Sequence, residues 1–223
     1  MNQSSQNSHD FEAMPHDSSA DPRQLSEAFY DELADDYQRW EQVEWPRLRW
    51  LRKVLQRLEP GSSVLDLGCG SGDPADIEIA RQHRVTGVDH SIAQIERARR
   101  NVPAGHFIHG DLAAPELPRS SFDAVDSFYA LEGIPRAEHA AVLRPAHDLS
   151  RPGGYLLLGT EPMDREAATG VYRGMRMVIS GHDADTLLAL VRDAGFRVLE
   201  SQIETQIERG HDVPYLWVLA QRD

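Results

Sequence analysis

Three glycines in one short segment have the spacing of a turn that binds a ligand through its backbone. Gly68, Gly70 and Gly72 follow the apolar run 64–67 and precede a segment with helical periodicity. Glycine lets the backbone turn tightly and approach a ligand closely, and the N-terminus of the next helix offers free N–H groups to an anion. A glycine triplet alone is weak support, so its meaning depends on the acidic residues around it.

Three aspartates stand close to the ends of predicted strands. Asp66 lies in the first apolar run, Asp89 ends the second, and Asp111 follows the third. Ligands of open α/β sheets bind beyond the carboxyl ends of the strands. A carboxylate such as that of Asp89 can accept both hydroxyls of a ribose there, and Asp111 can accept from an exocyclic amine such as that of adenine. Each aspartate could instead be an ordinary turn or cap residue.

The composition disfavours several classes of protein. The chain of 223 residues carries 36 acidic and 23 basic side chains, a net charge of −13, which disfavours binding to nucleic acids or anionic membranes. A single cysteine, Cys69, excludes an internal disulfide and a multi-cysteine zinc site. No apolar stretch approaches the ~20 residues of a membrane span, and the N-terminus lacks the pattern of a signal peptide. We therefore expect a cytoplasmic protein without a metal, a nucleic-acid partner or a membrane partner.

Strand-like and helix-like segments alternate along most of the chain. Seven segments have the character of strands: 64–67, 85–89, 104–108, 122–128, 155–159, 197–204 and 215–221. Helical segments of about ten residues separate most of them, which predicts an α/β fold with a parallel sheet covered on both faces.

The remaining segments predict a tail, a helical start and a lid. Residues 1–23 are polar and predict a disordered tail, because they cannot bury enough apolar surface to offset the chain entropy. Residues 24–223 predict a single domain that begins with two amphipathic helices over 24–58. The segment 162–182 has weak periodicity and lies between sheet elements, so it is a candidate lid.

The glycine segment also resembles a known family. Val64-Leu65-Asp66-Leu67-Gly68-Cys69-Gly70-Ser71-Gly72 resembles, almost residue for residue, the first motif of the class I S-adenosylmethionine-dependent methyltransferases. The family's later motifs are similar to Val85–Asp89, Gly110–Leu112, Phe122–Val125 and Arg151–Gly154. The resemblance covers roughly residues 25–223 and is closer to small bacterial methyltransferases. It implies a Rossmann-like, doubly wound, mostly parallel sheet of seven strands, with S-adenosylmethionine as cofactor and S-adenosylhomocysteine as product.

The resemblance implies roles for five residues at the methionine part of the cofactor. Gly68 and Gly70 would pass under it, with Asp66 ordering the loop. Ser127 would lie beneath the methionine amine. Tyr37 would close over the methionine carboxylate, or it packs as an ordinary residue of an amphipathic helix.

Four further residues would hold the adenosine. Asp89 would bind the ribose, and His90 would border the adenine. Asp111 and the backbone of Leu112 would read the adenine edge.

A general base is harder to assign. His182 and His211 have a suitable ordinary pKa and Tyr129 should face the acceptor, so these three are the candidate catalytic residues. Each histidine could instead be an ordinary surface residue. Relatives often carry a histidine where this chain has Gly133, so a base cannot be transferred from them.

The leading functional hypothesis is methyl transfer to an O, N or C atom of a small molecule in secondary metabolism. A nicotinamide-dependent oxidoreductase is disfavoured, because Asp73 stands where its last motif glycine would be. The alternative of another class is a protein that retains the cofactor without methylating, such as a cyclase, an isomerase or a binding module. The sequence leaves the oligomeric state open between monomer and homodimer.

Overall fold

The computed structural model contains six α-helices and ten strands in the part of the chain that it describes. It describes residues 11–13, 21–40, 46–172, 174–208 and 211–223, and within these it leaves out the side chains of 11–13, 33–40, 172, 208 and 211. The helices are α1 (Pro22–Trp40), α2 (Pro46–Leu55), α3 (Ala75–Ile79), α4 (Ile92–Asn101), α5 (His139–Leu149) and α6 (Ala184–Asp193). The strands are β1 (Phe11–Ala13), β2 (Ser63–Leu67), β3 (Arg84–Asp89), β4 (His106–His109), β5 (Phe122–Phe128), β6 (Ser150–Thr160), β7 (Arg165–Tyr172), β8 (Met175–Gly181), β9 (Phe196–Glu208) and β10 (His211–Arg222).

Seven of these strands form one sheet in the order β4-β3-β2-β5-β6-β10-β9. The first five run parallel, whereas β10 pairs antiparallel with both β6 and β9. The strand order reverses between β2 and β5, and ligands of such sheets bind at the carboxyl ends beside a reversal of this kind. The sequence prediction of a doubly wound, mostly parallel sheet of seven strands is confirmed.

Helices cover both faces of the sheet, and each face has its own apolar core. On one face α2, α3 and α4 contribute buried side chains such as Trp50, Ile79 and Ile95. On the other face α5 and α6 contribute Leu143 and Val191. Two-sided coverage explains why β2 is almost continuously buried and reads as an apolar run instead of an alternating one.

The N-terminal segment and the candidate lid form a second, smaller sheet in the order β1-β7-β8. The candidate lid is a hairpin, in which β7 and β8 pair antiparallel and Gly174 has a φ of 81° in the connection. The structure differs from the predicted disordered tail at Phe11–Ala13, which pairs with β7, and at Pro22, where α1 begins. The free edge of β7 offers backbone hydrogen bonds to any extended segment. The prediction of a disordered tail used only the composition of the side chains, and it therefore missed this backbone pairing. The rest of the predicted tail, residues 1–10 and 14–20, lies outside the described residues.

Candidate ligand-binding cavity

A cavity lies at the carboxyl ends of β2, β3 and β5, beneath helix α1. It holds about 550 Å³ of empty space, counting its open mouth. Its walls come from six parts of the chain: Tyr30, Arg47, Gly68, Cys69, Gly70, Ser71, Asp73, Asp89, His90, Gln94, Leu112, Phe128, Tyr129 and Ala130.

The glycine turn forms one wall of this cavity. Gly68, Gly70 and Gly72 all have positive φ angles of 90°, 53° and 75°. A Cβ atom on Gly68 would lie 2.5 Å from the Cβ of Ala130, so the turn passes close to the residues after β5. A Cβ on Gly70 would have no atom within 4 Å. Gly70 therefore presents bare backbone to open space, which is the arrangement that allows a ligand to approach the main chain.

Asp89 joins the glycine turn to the next helix. Its Oδ2 accepts a hydrogen bond of 2.9 Å from the amide of Gly70, and its Oδ1 accepts one of 2.8 Å from the amide of Ser91. Burial raises the pKa of this carboxyl, although His90 and the two amides act in the opposite direction. Each carboxylate oxygen can accept a second hydrogen bond, so Asp89 keeps capacity for two ligand hydroxyls.

Helix α1 closes the cavity through Tyr30. The Tyr30 ring meets the ring of His90 edge to face, with centroids 5.8 Å apart. Burial and the charges of Glu132 and Asp89 raise the pKa of Tyr30 well above its ordinary value. The phenol therefore stays neutral at physiological pH and can donate a hydrogen bond, but it is not a base.

Gly133 makes room for helix α1. A Cβ on Gly133 would lie 2.8 Å from the Oγ of Ser26 and 3.4 Å from the ring of Tyr30. The space beside Gly133 is thus filled by side chains of α1. Asp31 holds the same helix to the start of α4, because its carboxylate accepts from the hydroxyl of Ser91 and the amide of Ala93.

Arg23 fixes the N-terminal end of α1. Its guanidinium pairs with Asp111 at 2.6 Å and with Glu138 at 2.5 Å. Burial opposes ionisation of Asp111, but the amide of Ala113 and the guanidinium of Arg23 outweigh it and hold the pKa of Asp111 below its usual range. Asp111, which the sequence predicts to read the adenine edge, is not among the residues that line the cavity, and its side chain pairs with Arg23. Its role toward adenine stays a prediction.

Arg47 on α2 brings a buried positive charge to the cavity. It is 7% exposed, and its guanidinium carbon lies 5.9 Å and 5.7 Å from the ring centres of Phe128 and Tyr129. A guanidinium in this position can pair with a carboxylate of a ligand. Arg47 has no distinguishing pattern in the sequence, because it is one of several arginines on an amphipathic helix.

Tyr129 has an unusual backbone conformation at the end of β5. Its φ is 59°, which is uncommon for a residue other than glycine and is often found at functional sites. Its ring packs edge to face against Tyr215 with centroids 4.7 Å apart, and Gln206 Nε2 lies 3.4 Å from its hydroxyl. The predicted candidate Tyr129 therefore lies in the cavity wall with its ring held from two sides.

The structure brings together some of the predicted residues and separates others. Gly68, Gly70, Asp89, His90, Leu112 and Tyr129 line the cavity. Asp66 is buried behind the glycine turn, and the Ser127 hydroxyl donates to the carbonyl of Leu67 at 2.7 Å. His182 does not line the cavity. Its ring packs against His139 with centroids 5.3 Å apart, and its Nε2 lies 3.1 Å from the carbonyl of Arg136. The side chains of Tyr37 and His211 lie outside the described residues.

Comparison with known proteins gives the same family as the sequence motifs. Residues 64–154 match the family model described as "Methyltransferase domain". A probable S-adenosylmethionine-dependent methyltransferase of Mycolicibacterium smegmatis is 27% identical over 192 residues, which are 74% of each chain. The 27-O-demethylrifamycin SV methyltransferase of Amycolatopsis mediterranei is 31% identical over 168 residues, 68% of this chain and 60% of the relative.

A solved structure supports the fold along almost the whole chain. The 1,6-didemethyltoxoflavin-N1-methyltransferase of Burkholderia thailandensis matches with a TM-score of 0.73 and 19% identity, over 95% of this chain and 94% of that one. The chain belongs to the class I S-adenosylmethionine-dependent methyltransferases. Within the described residues, no helix combines the length and the apolar character that crossing a bilayer requires.

Proposed function

We propose that this protein transfers a methyl group from S-adenosylmethionine to an O, N or C atom of a small molecule, in secondary metabolism. One observation supports the cofactor site above all: the bare backbone at Gly70 faces open space beside the buried carboxylate of Asp89. The named relatives that act on a rifamycin and on a toxoflavin precursor support an acceptor of this kind.

The lining residues fit the parts of the cofactor. Asp89 and His90 would hold the ribose and border the adenine, with Leu112 on the adenine edge. At the other end, Arg47 is the buried cation that would pair with the methionine carboxylate. Tyr30 would cover the ligand from above, because it projects from α1 against His90.

The protein's own part in the reaction is chiefly alignment and exclusion of water. The bound cofactor supplies a methyl group on a sulfonium, which is already activated for displacement. Helix α1 closes the cavity, and Tyr129 would orient the acceptor from a fixed ring. Burial raises the pKa of Cys69 far above its ordinary value, so this thiol would not act as a nucleophile.

Binding and turnover can be tested separately. Asp89→Asn keeps the shape of the side chain but removes its charge and one acceptor. We expect a loss of about 2 kcal/mol, roughly a 30-fold lower affinity for S-adenosylmethionine by calorimetry. Asp193→Asn, an exposed position at the end of α6, is the matched control and should bind like the wild type. Unchanged affinity in the Asp89 variant would refute the cofactor site.

A panel of hydroxyl, amine and carbon acceptors then tests the reaction. S-adenosylhomocysteine should form in proportion to a methylated product. An acceptor that is converted without any S-adenosylhomocysteine would instead show the cofactor-retaining alternative of a cyclase or an isomerase.

A further inference from the structure

The last two strands of the sheet hold the helix that carries Arg47. Strand β9 is at the edge of the sheet, and its Glu200 and Glu204 both bind side chains of α2. The Nζ of Lys53 lies 2.5 Å from Glu200 Oε1, and the indole Nε1 of Trp50 donates a hydrogen bond of 2.8 Å to Glu204 Oε1. The hairpin of β9 and β10 therefore binds α2 at two points.

Glu204 binds two consecutive residues of α2 from a largely buried position. Its second carboxylate oxygen pairs with the guanidinium of Arg49, next to Trp50. The side chain of Glu204 is 13% exposed, whereas that of Glu200 is 41% exposed. Trp50 is fully buried, and an indole N–H in such a position needs an acceptor. Removal of the Glu204 carboxylate would take away the acceptor that this N–H has in the structure.

Trp50 and Arg47 belong to the same face of α2. They are three residues apart, so their side chains are neighbours on the helix surface. Trp50 stacks on Trp217 of β10, with ring centroids 6.1 Å apart and an angle of 8° between the planes. Trp217 also packs against the rings of Phe128 and Tyr129, with centroids 5.9 Å and 6.1 Å away. The Arg47 guanidinium lies near these same two rings, so a rotation of α2 that displaced Trp50 would also move Arg47 in the cavity wall.

These contacts connect a residue outside the cavity to the cation inside it. We propose that Glu204 is a positioning residue for ligand binding, which holds α2 through Trp50 in the rotation that places the Arg47 guanidinium in the cavity. The proposal rests on the proposed function, in which Arg47 pairs with the methionine carboxylate. Glu204 is not among the residues that line the cavity, so it acts through α2 and not on the ligand. A guanidinium has five N–H donors, so Arg47 can face protein groups and a ligand carboxylate together.

This role predicts an effect on one part of the ligand only. The adenosine is assigned to Asp89 and His90, which belong to the end of β3 and the residue after it, not to α2. Displacement of Arg47 weakens the pairing with a carboxylate and leaves the adenosine contacts in place. A ligand that carries the amino-acid group should therefore lose affinity, and a ligand without this group should not.

Calorimetry with two ligands separates this role from a general effect on the fold. S-adenosylhomocysteine carries the carboxylate, whereas 5′-methylthioadenosine keeps the adenosine and the thioether without the amino-acid group. We define the selectivity ratio as the affinity for the first ligand divided by the affinity for the second. Glu204→Met keeps the length of the side chain but supplies no oxygen, and Glu204→Gln keeps an oxygen that can accept from the indole. Glu200→Ala is the matched control, because it removes a contact between the same strand and the last turn of α2.

We expect Glu204→Met to lower the selectivity ratio at least about threefold, within the range for residues that touch no ligand, while its affinity for 5′-methylthioadenosine stays that of the wild type. Glu204→Gln should keep most of the wild-type ratio, and Glu200→Ala should keep all of it. In an Arg47→Gln background, Glu204→Met should lower the ratio no further, because it acts through Arg47.

The same measurements can overturn the positioning role. An unchanged ratio in Glu204→Met, an equal loss of affinity for both ligands, or a further loss in the Arg47→Gln background would show that Glu204 only supports the fold. A wild type that binds both ligands with equal affinity would also overturn it, because there would be no carboxylate contact to lose. Failure of the wild type to bind either ligand would instead overturn the proposed function.

Discussion

Adding one methyl group at Gly133 should push helix α1 away from the cavity. In Gly133→Ala the new Cβ would lie 2.8 Å from the Oγ of Ser26, where ordinary contacts begin at 3.4 Å. Ser26 is 4% exposed, so its hydroxyl has little room to turn aside. The same Cβ touches the ring of Tyr30 at 3.4 Å, so both contacts fall on one helix and the strain acts on α1 as a whole.

The expected cost follows from the size of this overlap. Inserting a methyl group into a well-packed region destabilises a protein by about 1–3 kcal/mol. The φ of Gly133 is not positive, so alanine is compatible with its backbone, and the substitution itself gains about 0.4–1 kcal/mol through the unfolded chain. We therefore expect a net loss of roughly 1–2 kcal/mol in the free energy of unfolding, with weaker binding of S-adenosylhomocysteine because Tyr30 is displaced.

Denaturant unfolding and calorimetry measure the two effects, and two variants serve as controls. Gly110→Ala meets its nearest atoms at 3.7 Å and 3.9 Å, so it should leave the free energy of unfolding unchanged or slightly higher. Ser26→Ala removes the obstructing hydroxyl, and combined with Gly133→Ala it should recover most of the lost stability. Equal behaviour of the Gly133 and Gly110 variants, or no recovery in the double variant, would refute the reasoning.

Three further predictions concern ionisable side chains. Arg23→Gln removes the pairs with Asp111 and Glu138, so fluorescence stopped flow should show faster release of S-adenosylhomocysteine; an unchanged rate would contradict an anchoring role for Arg23. Arg47→Gln should lower the affinity for S-adenosylhomocysteine roughly tenfold by calorimetry, and an unchanged affinity would exclude Arg47 from carboxylate binding. Burial lowers the pKa of His139, so the folded chain resists its protonation and stability should fall as pH drops below about 6.5. Unfolding measured across that range should be less pH-dependent in His139→Gln.

The sequence was sufficient for the parts of the site that depend on local chemistry. The glycine turn can be recognised from the sequence because a positive φ favours glycine. Asp89 can be recognised because an acidic residue directly follows an apolar strand. The sheet was equally accessible, since strands buried on both faces read as apolar runs between helices.

The contacts of α1 could not be obtained in this way. Tyr30 and Tyr37 are seven residues apart, so both belong to the same stripe of an amphipathic helix, and this pattern does not predict that Tyr30 lines the cavity. The position of the helix along the sheet depends on pairs distant in sequence, such as Arg23 with Asp111 and Asp31 with Ser91. Because Arg23 and Asp111 are far apart in the sequence, their ion pair could not be predicted from it.

The three-stranded sheet could not be predicted from the sequence for a different reason. Strand β1 is only three residues long, and it pairs through its backbone with β7, which is 150 or more positions away along the chain. In the candidate lid, β7 and β8 meet at a glycine turn, and their side chains do not alternate regularly between apolar and polar. The segment 162–182, whose hydrophobic periodicity is weak, contains the two strands β7 and β8 and is not a loop without secondary structure.

Two walls of the cavity come from outside the segment that defines the family. Tyr30 and Arg47 belong to α1 and α2, whereas the family model matches only residues 64–154. The part of the chain that forms the cavity is therefore longer than the part that the family model matches. A chimera that exchanges residues 22–55 between two relatives would carry both walls into a new sheet, and it would change what the cavity accepts without altering the family motifs.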